Sequence, residues 1–254
     1  MIKLLKSLLV ALLLPVCSYA AGWDDAEYKR IEQSIQQPKL SEKVYAITSY
    51  GAKTTASAAQ NQKAINRAIS LASKKGGKVV IPAGTWNTGA IELKSGVNLV
   101  IEEGATLRFA FEPKLYPLVR TSWEGLACWN YSPCIYAYQA KDIAITGKGT
   151  IDGGGNNDTW WQWNGNPRFG FKAGVTTESQ KLGSRSKLLK QAEDGVAFDE
   201  RKFGMGQGLR PQLINFVRSE RILIKDVKMI NSPFWVIHPL LCKNITVDGV
   251  YIWN

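Results

Sequence analysis

The chain has 254 residues, 45% of them apolar, which is enough for a large packed core and excludes a disordered protein. A net charge of +11 suits either a polyanionic partner or a solvated basic surface, and no nucleic-acid-binding motif accompanies it. The only histidine is His238, with Cys242 four residues on and no further His or Cys beside them, too small a set for a metal site, so neither a metal nor a cofactor is expected.

Residues 1–20 read as a secretory signal: Lys3 and Lys6 precede the apolar run Leu8 to Val16, which is too short to span a bilayer. Ser18-Tyr19-Ala20 fits the cleavage pattern, and a lipoprotein reading through Cys17 conflicts with bulky Val16. The expectation is a secreted or periplasmic protein with no later membrane span. Losing the two lysines takes the charge from +11 to +9, and in an exported protein an acidic polysaccharide is the natural polyanion. Residues 21–43 form a lead-in. Cys128, Cys134 and Cys242 remain, too few for a disulfide framework. "CWNYSPC" either closes a small loop or holds two buried thiols.

The stretch "NQKAINRAISLASKKGG" predicts a helix over 61–75. Ala64, Ile65, Ala68, Ile69 and Ala72 fall on one face, Lys74 and Lys75 in the last turn, and Gly76-Gly77 after it. Short strands follow. Leu99, Ile101 and Leu107 have the spacing of Ile143, Ile145 and Ile151, 44 residues later. Ile222, Ile224, Val227 and Met229 have the spacing of Ile245, Val247, Val250 and Ile252, 23 residues later. No helices separate these strands as a βαβ fold requires. A weak period of 22 to 23 residues, or twice that, predicts an all-β parallel β-helix over 44–254, with the helix capping its N-terminal end. Residues 157–210, rich in Gly, Trp and charge, predict a long insertion.

Three stretches resemble glycoside hydrolase family 28, the polygalacturonase family: "YGAKTTASAAQNQKAINRAI" with "GGKVVIPAGTW", then "SWEGLACWNYSPCIYAYQAKDIAITGKGTIDGGG", then "LRPQLINFVRSERILIKDVKMINSPFWVIHPLLCKNITVDGVYI". The first is shared with other pectin-acting β-helices. "GKGTIDG" and "NSPFWVIHP" together are specific. The resemblance implies a right-handed, pectin-lyase-like solenoid and a monomer. It implies inverting hydrolysis of α-1,4-galacturonosyl linkages by two carboxylates and a pectin or galacturonan substrate. The family's Asn-x-Asp and Asp-Asp segments have no match here. The chain ends 15 residues after Pro239, so the resemblance implies a solenoid incomplete at its C-terminal end, without catalytic residues and inactive alone. The alternatives are a non-catalytic acidic-glycan-binding solenoid and a pectate lyase, which requires a carboxylate-rich calcium site.

Two residues are candidates for substrate binding. His238 either faces a sugar or sits satisfied between coils. Arg210 either grips a galacturonate carboxylate or makes a surface salt bridge. Trp160, Trp161 and Trp163 either stack on sugars or pack the insertion. Asp152 reads as a turn residue and Asn231 as a corner residue bonding along a stack.

Overall fold

The computed structural model describes residues 25–254. The leader, its cleavage site and Cys17 lie outside the described residues. Helix α1, Asp25–Ser34, belongs to one unit and Ile35–Asn254 to another. None of the α1 side chains is buried, which is why no apolar stripe announced this helix.

The larger unit is a parallel β-helix. Strand β1, Val44–Ala46, is followed by helix α2, Ala58–Ala72. The helix starts earlier than its apolar stripe, because Ser57 and Gln60 form a reciprocal capping box. It also stops at Ala72, so Lys74 and Lys75 lie beyond it. The first coil is β2 (Gly77–Ile81), β3 (Gly84–Thr88) and β4 (Ile91–Glu92). The second is β5 (Val97–Ile101) and β6 (Ala105–Phe109), then a hairpin of β7 (Leu118–Trp123) and β8 (Leu126–Tyr131), then β9 (Ile135–Tyr138). The third is β10 (Lys141–Thr146), β11 (Thr150–Asp152), an excursion carrying α3 (Ser184–Glu193), and β12 (Ile214–Val217). The fourth is β13 (Glu220–Lys225), β14 (Lys228–Ile230) and β15 (Ile237–Leu240). Strands β16 (Lys243–Asp248) and β17 (Tyr251–Trp253) follow.

Three parallel sheets result. Sheet A is β1-β2-β5-β10-β13-β16, sheet B is β3-β6-β11-β14-β17, and sheet C is β4-β9-β12-β15. Inward side chains stack coil upon coil. Val79, Leu99, Ile145, Ile224 and Val247 align in sheet A. Trp86, Leu107, Ile151, Met229 and Ile252 align in sheet B, and Ile91, Ile135, Ile214 and Ile237 in sheet C. The 23-residue spacing matches this register: Ile222 faces Ile245 and Met229 faces Ile252. The 44-residue spacing holds for Leu107 and Ile151 but not for Leu99, which faces Ile145 rather than Ile143. The reason is the corner after β5, which is longer than the one after β10. Gly147 fills the difference: a Cβ there would lie 2.0 Å from the carbonyl oxygen of Ile101.

Helix α2 packs its Ala64, Ile65, Ala68, Ile69 and Ala72 face onto the first coil, so the core there is closed to water. Ile224 and Met229 are likewise fully buried, whereas Val247, Tyr251, Ile252 and Trp253 are exposed. Among the described residues no helix is long and apolar enough to cross a membrane.

Candidate functional site: a ringed groove beside sheet C

Sheet C has one inner and one outer face. Ile135, Ala137, Ile214 and Phe216 enter the core, so strand alternation sends Glu92, Tyr136, Asn215 and His238 outward in one column. The hairpin covers the middle of this column. Its turn residues Glu124 and Gly125 both have positive φ, 45° and 84°, the geometry whose twist matches paired strands. Tyr136 donates its hydroxyl to the Arg120 carbonyl at 2.6 Å, and Thr121 donates to Asn215 Oδ1 at 2.8 Å. Gln212 Nε2 reaches the Ser122 carbonyl at 2.7 Å, and Asn130 Nδ2 the Leu209 carbonyl at 3.1 Å. Gln212, Asn215 and Asn130 are fully buried, so these bonds are shielded from competing water.

Past the hairpin the face is open. Asn215 Nδ2 donates to the His238 carbonyl at 2.6 Å and approaches His238 Nδ1 at 3.2 Å. The carbonyl only accepts, which fixes the Asn215 amide, so Nδ1 accepts as well and the ring proton sits on Nε2. Partial burial lowers the His238 pKa, holding the imidazole neutral. Beside it runs a row of rings. Trp123 stacks on Phe234 at 5.1 Å, Phe234 on Trp235 at 5.2 Å, and Trp235 meets His238 edge-on at 4.8 Å.

A groove of about 420 Å³ opens along that row, lined by Trp161, Phe169, Arg210, Phe234 and Trp235 among others. Among the described residues no Asp or Glu lines it. Arg210 is partly buried, with its Nε–H closed off from solvent and unbonded. Nη1 donates to the Pro233 carbonyl at 3.0 Å, Nη2 to Gln180 Oε1 at 3.4 Å, and the guanidinium lies 5.0 Å from the Phe234 ring centre. Burial lowers its pKa from 12.5 to about 10, so it stays cationic at neutral pH. It makes no ion pair among the described residues. The surface salt bridge that sequence alone allowed for Arg210 is therefore corrected: this is a desolvated cation with no ion pair, on which the Glu124 carboxylate, itself bonded to Arg185, acts only through space, and such a group favours an incoming carboxylate.

The other candidates separate. Trp160 and Trp163 are buried in an aromatic cluster with Phe111, Tyr116 and Tyr131. Trp161 is half-buried, lines the groove and donates Nε1 to the Ser232 carbonyl at 2.8 Å. Asp152 is buried and accepts from Arg108, Gly154 and Asn231, each at 3.0 Å, while Asn231 turns a corner at φ 52°. Cys128 and Cys134 are free and buried; burial pushes the Cys128 thiol up to about 12, leaving it unreactive. Among the described residues no three His, Cys, Asp or Glu side chains gather as a metal site would require. Trp123, Phe234 and Trp235 were not anticipated. The signal was available in "SPFW", where aromatics follow a corner, and in "TSWEG", where one precedes a turn.

No family model matches the chain. A probable polygalacturonase of Vitis vinifera is 28% identical over 202 residues, covering 76% of this chain and 33% of that protein. An exo-poly-alpha-D-galacturonosidase of Dickeya chrysanthemi is 35% identical over 124 residues, 44% of this chain and 20% of that protein. The crystal structure of a hyperthermoactive exopolygalacturonase from Thermotoga maritima superposes with a TM-score of 0.83 at 35% identity, over 89% of this chain and 50% of that one. These relatives support a family like that of the polygalacturonases, glycoside hydrolase family 28. The chain has the parallel β-helix fold expected from the strand period, right-handed as the resemblance implied. It spans about a third and a fifth of the two curated relatives and half of the crystallised one.

Proposed function

We propose that the chain serves a pectin-degrading glycoside hydrolase of the polygalacturonase type, which cleaves α-1,4-galacturonosyl linkages with inversion. Its own part is to hold the acidic sugar chain. The observation that carries this is Arg210: a desolvated guanidinium in an aromatic-lined groove with no Asp or Glu side chain in its described lining. A galacturonate carboxylate supplies the missing counter-charge, while Trp161 and Trp235 offer faces to the sugar ring. His238 offers its Nε2–H to a hydroxyl.

The hairpin over Tyr136 and Asn215 meets the groove through Trp123, which stacks on the lining residue Phe234. Two relatives carry an exo-acting name. Inverting hydrolysis needs two carboxyl groups separated by roughly 6.5–9.5 Å, and the groove lining has none. That favours a second reading, acidic-glycan binding without catalysis by this chain alone. Residues 1–20 support export and the basic charge supports a pectic partner.

The test uses the purified protein with saturated galacturonate oligomers between about pH 4 and 9. Binding with no reducing-sugar release above a heat-killed control is expected. Release of sugar would place catalytic carboxylates in this chain and overturn the division of labour. Equal binding of a neutral glucan would remove the pectic reading.

A further inference from the structure

A second concave site lies at the capped end of the solenoid. Tyr50, Lys53, Gln60, Lys63 and Arg67 line a groove of about 460 Å³, within the range of ligand sites, roughly 300–1,000 Å³. Its lining contains three cations and no carboxylate. Among the described residues none of the three has an ion-pair partner.

This arrangement works against folding. Lys63 and Arg67 are four residues apart on α2, a like-charge spacing that destabilises a helix. The backbone that carries the third cation, Lys53, is held in place. Asn61 is fully buried and clamps the preceding loop. Its Oδ1 accepts from the Lys53 N–H at 3.0 Å, and its Nδ2 donates to the carbonyls of Lys53 at 3.0 Å and Asn87 at 2.9 Å. The capping box of Ser57 and Gln60 fixes the start of the helix beside it. Like charges held together on a rigid concave surface form an anion site that is pre-organised and uncompensated.

We infer that this groove is a second, non-catalytic binding site for a carboxylated polysaccharide, with Tyr50 beside the sugar ring. The polymer class rests on the function proposed above, whereas the anion preference rests on the three cations alone. A polymer engaged at both grooves gains avidity, because the second contact becomes intramolecular.

Affinity electrophoresis of the full chain through gels containing polygalacturonate, at low salt, tests this. Mobility is referred to gels without polymer. K63E/R67E is compared with K74E/K75E, which makes the same charge change at exposed lysines outside the groove. Melting curves confirm folding, and K63Q/R67Q serves if the reversal fails to fold. About tenfold weaker retardation is expected for K63E/R67E, little change for K74E/K75E, and none for any form in hydroxyethyl-cellulose. R210M separates this proposal from the other groove: an R210M chain still retarded, and released by adding K63E/R67E, supports the cap site even if Arg210 proves irrelevant. Retardation of K63E/R67E equal to the wild type, or an equal loss in K74E/K75E, overturns it.

Discussion

The outer face of sheet C is closed over Tyr136 and Asn215 and open over His238. The same column of side chains runs through both regions, so the strands do not make the difference. The hairpin does, through buried hydrogen bonds to the middle of the column. Where it covers the sheet, Tyr136, Thr121, Asn215 and the amide nitrogens of Gln212 and Asn130 find partners, while Ser122 Oγ, Asn130 Oδ1 and Gln212 Oε1 stay buried and unbonded but uncharged. Where it stops, Arg210 keeps a desolvated Nε–H and a charge with no ion pair among the described residues. Buried polar groups without partners are costly in a protein that has no use for them. At the open end the unbonded donor belongs to a charged side chain that lines an open groove, and that is where a carboxylated ligand fits.

The contrast is broken most strongly at Asn215, which ties both regions together by bonding Thr121 and His238. Asn215→Ala leaves buried partners unsatisfied and is expected to cost about 2–4 kcal/mol. Urea unfolding measures it, and a loss below about 1 kcal/mol would mean that the hairpin is not anchored through this residue. Gly125→Ala acts on the same hairpin from the turn, where φ is 84°. The expected loss is about 1–2 kcal/mol, with binding weakened only as far as the hairpin frays; an unchanged melting temperature would argue for a different turn.

The smallest effect concerns pH. Burial lowers the His238 pKa in the folded state, so the unfolded chain binds its proton more readily. Stability from the neutral ring is then complete above the unfolded pKa, about 6.5, and is lost as pH falls through the lower folded value. His238→Gln should flatten the stability profile below about pH 6.5 relative to the wild type. Parallel profiles would show that His238 titrates as freely folded as unfolded.

Much of the scaffold was legible because stacking imposes a period. Ile222, Ile224 and Met229 sit over Ile245, Val247 and Ile252 at the spacing the residues display. Leu99 was misaligned because a period does not reveal the length of a corner. Helix α2 was visible through its apolar stripe, but its start was set by Ser57 and Gln60, which lie outside that stripe. Helix α1 buries nothing and so left no pattern. The hairpin escaped notice because Glu124-Gly125 lacks the usual Asn-Gly or Asp-Gly mark. Arg210 was noticed as a residue type, but its isolation was not readable. That isolation depends on Pro233, Gln180 and Phe234 meeting it from distant parts of the chain.

The central claim is that the open end of sheet C holds an uncompensated cation kept for a carboxylated sugar. Calorimetric titration of trigalacturonate into the wild type and Arg210→Met, with melting temperatures of both free proteins, tests it most directly. A ligand-binding Arg210 predicts affinity reduced about tenfold or more, with the free variant as stable as the wild type or more so, because an uncompensated charge is gone. Unchanged affinity together with a destabilised variant would contradict the account and make Arg210 a structural residue.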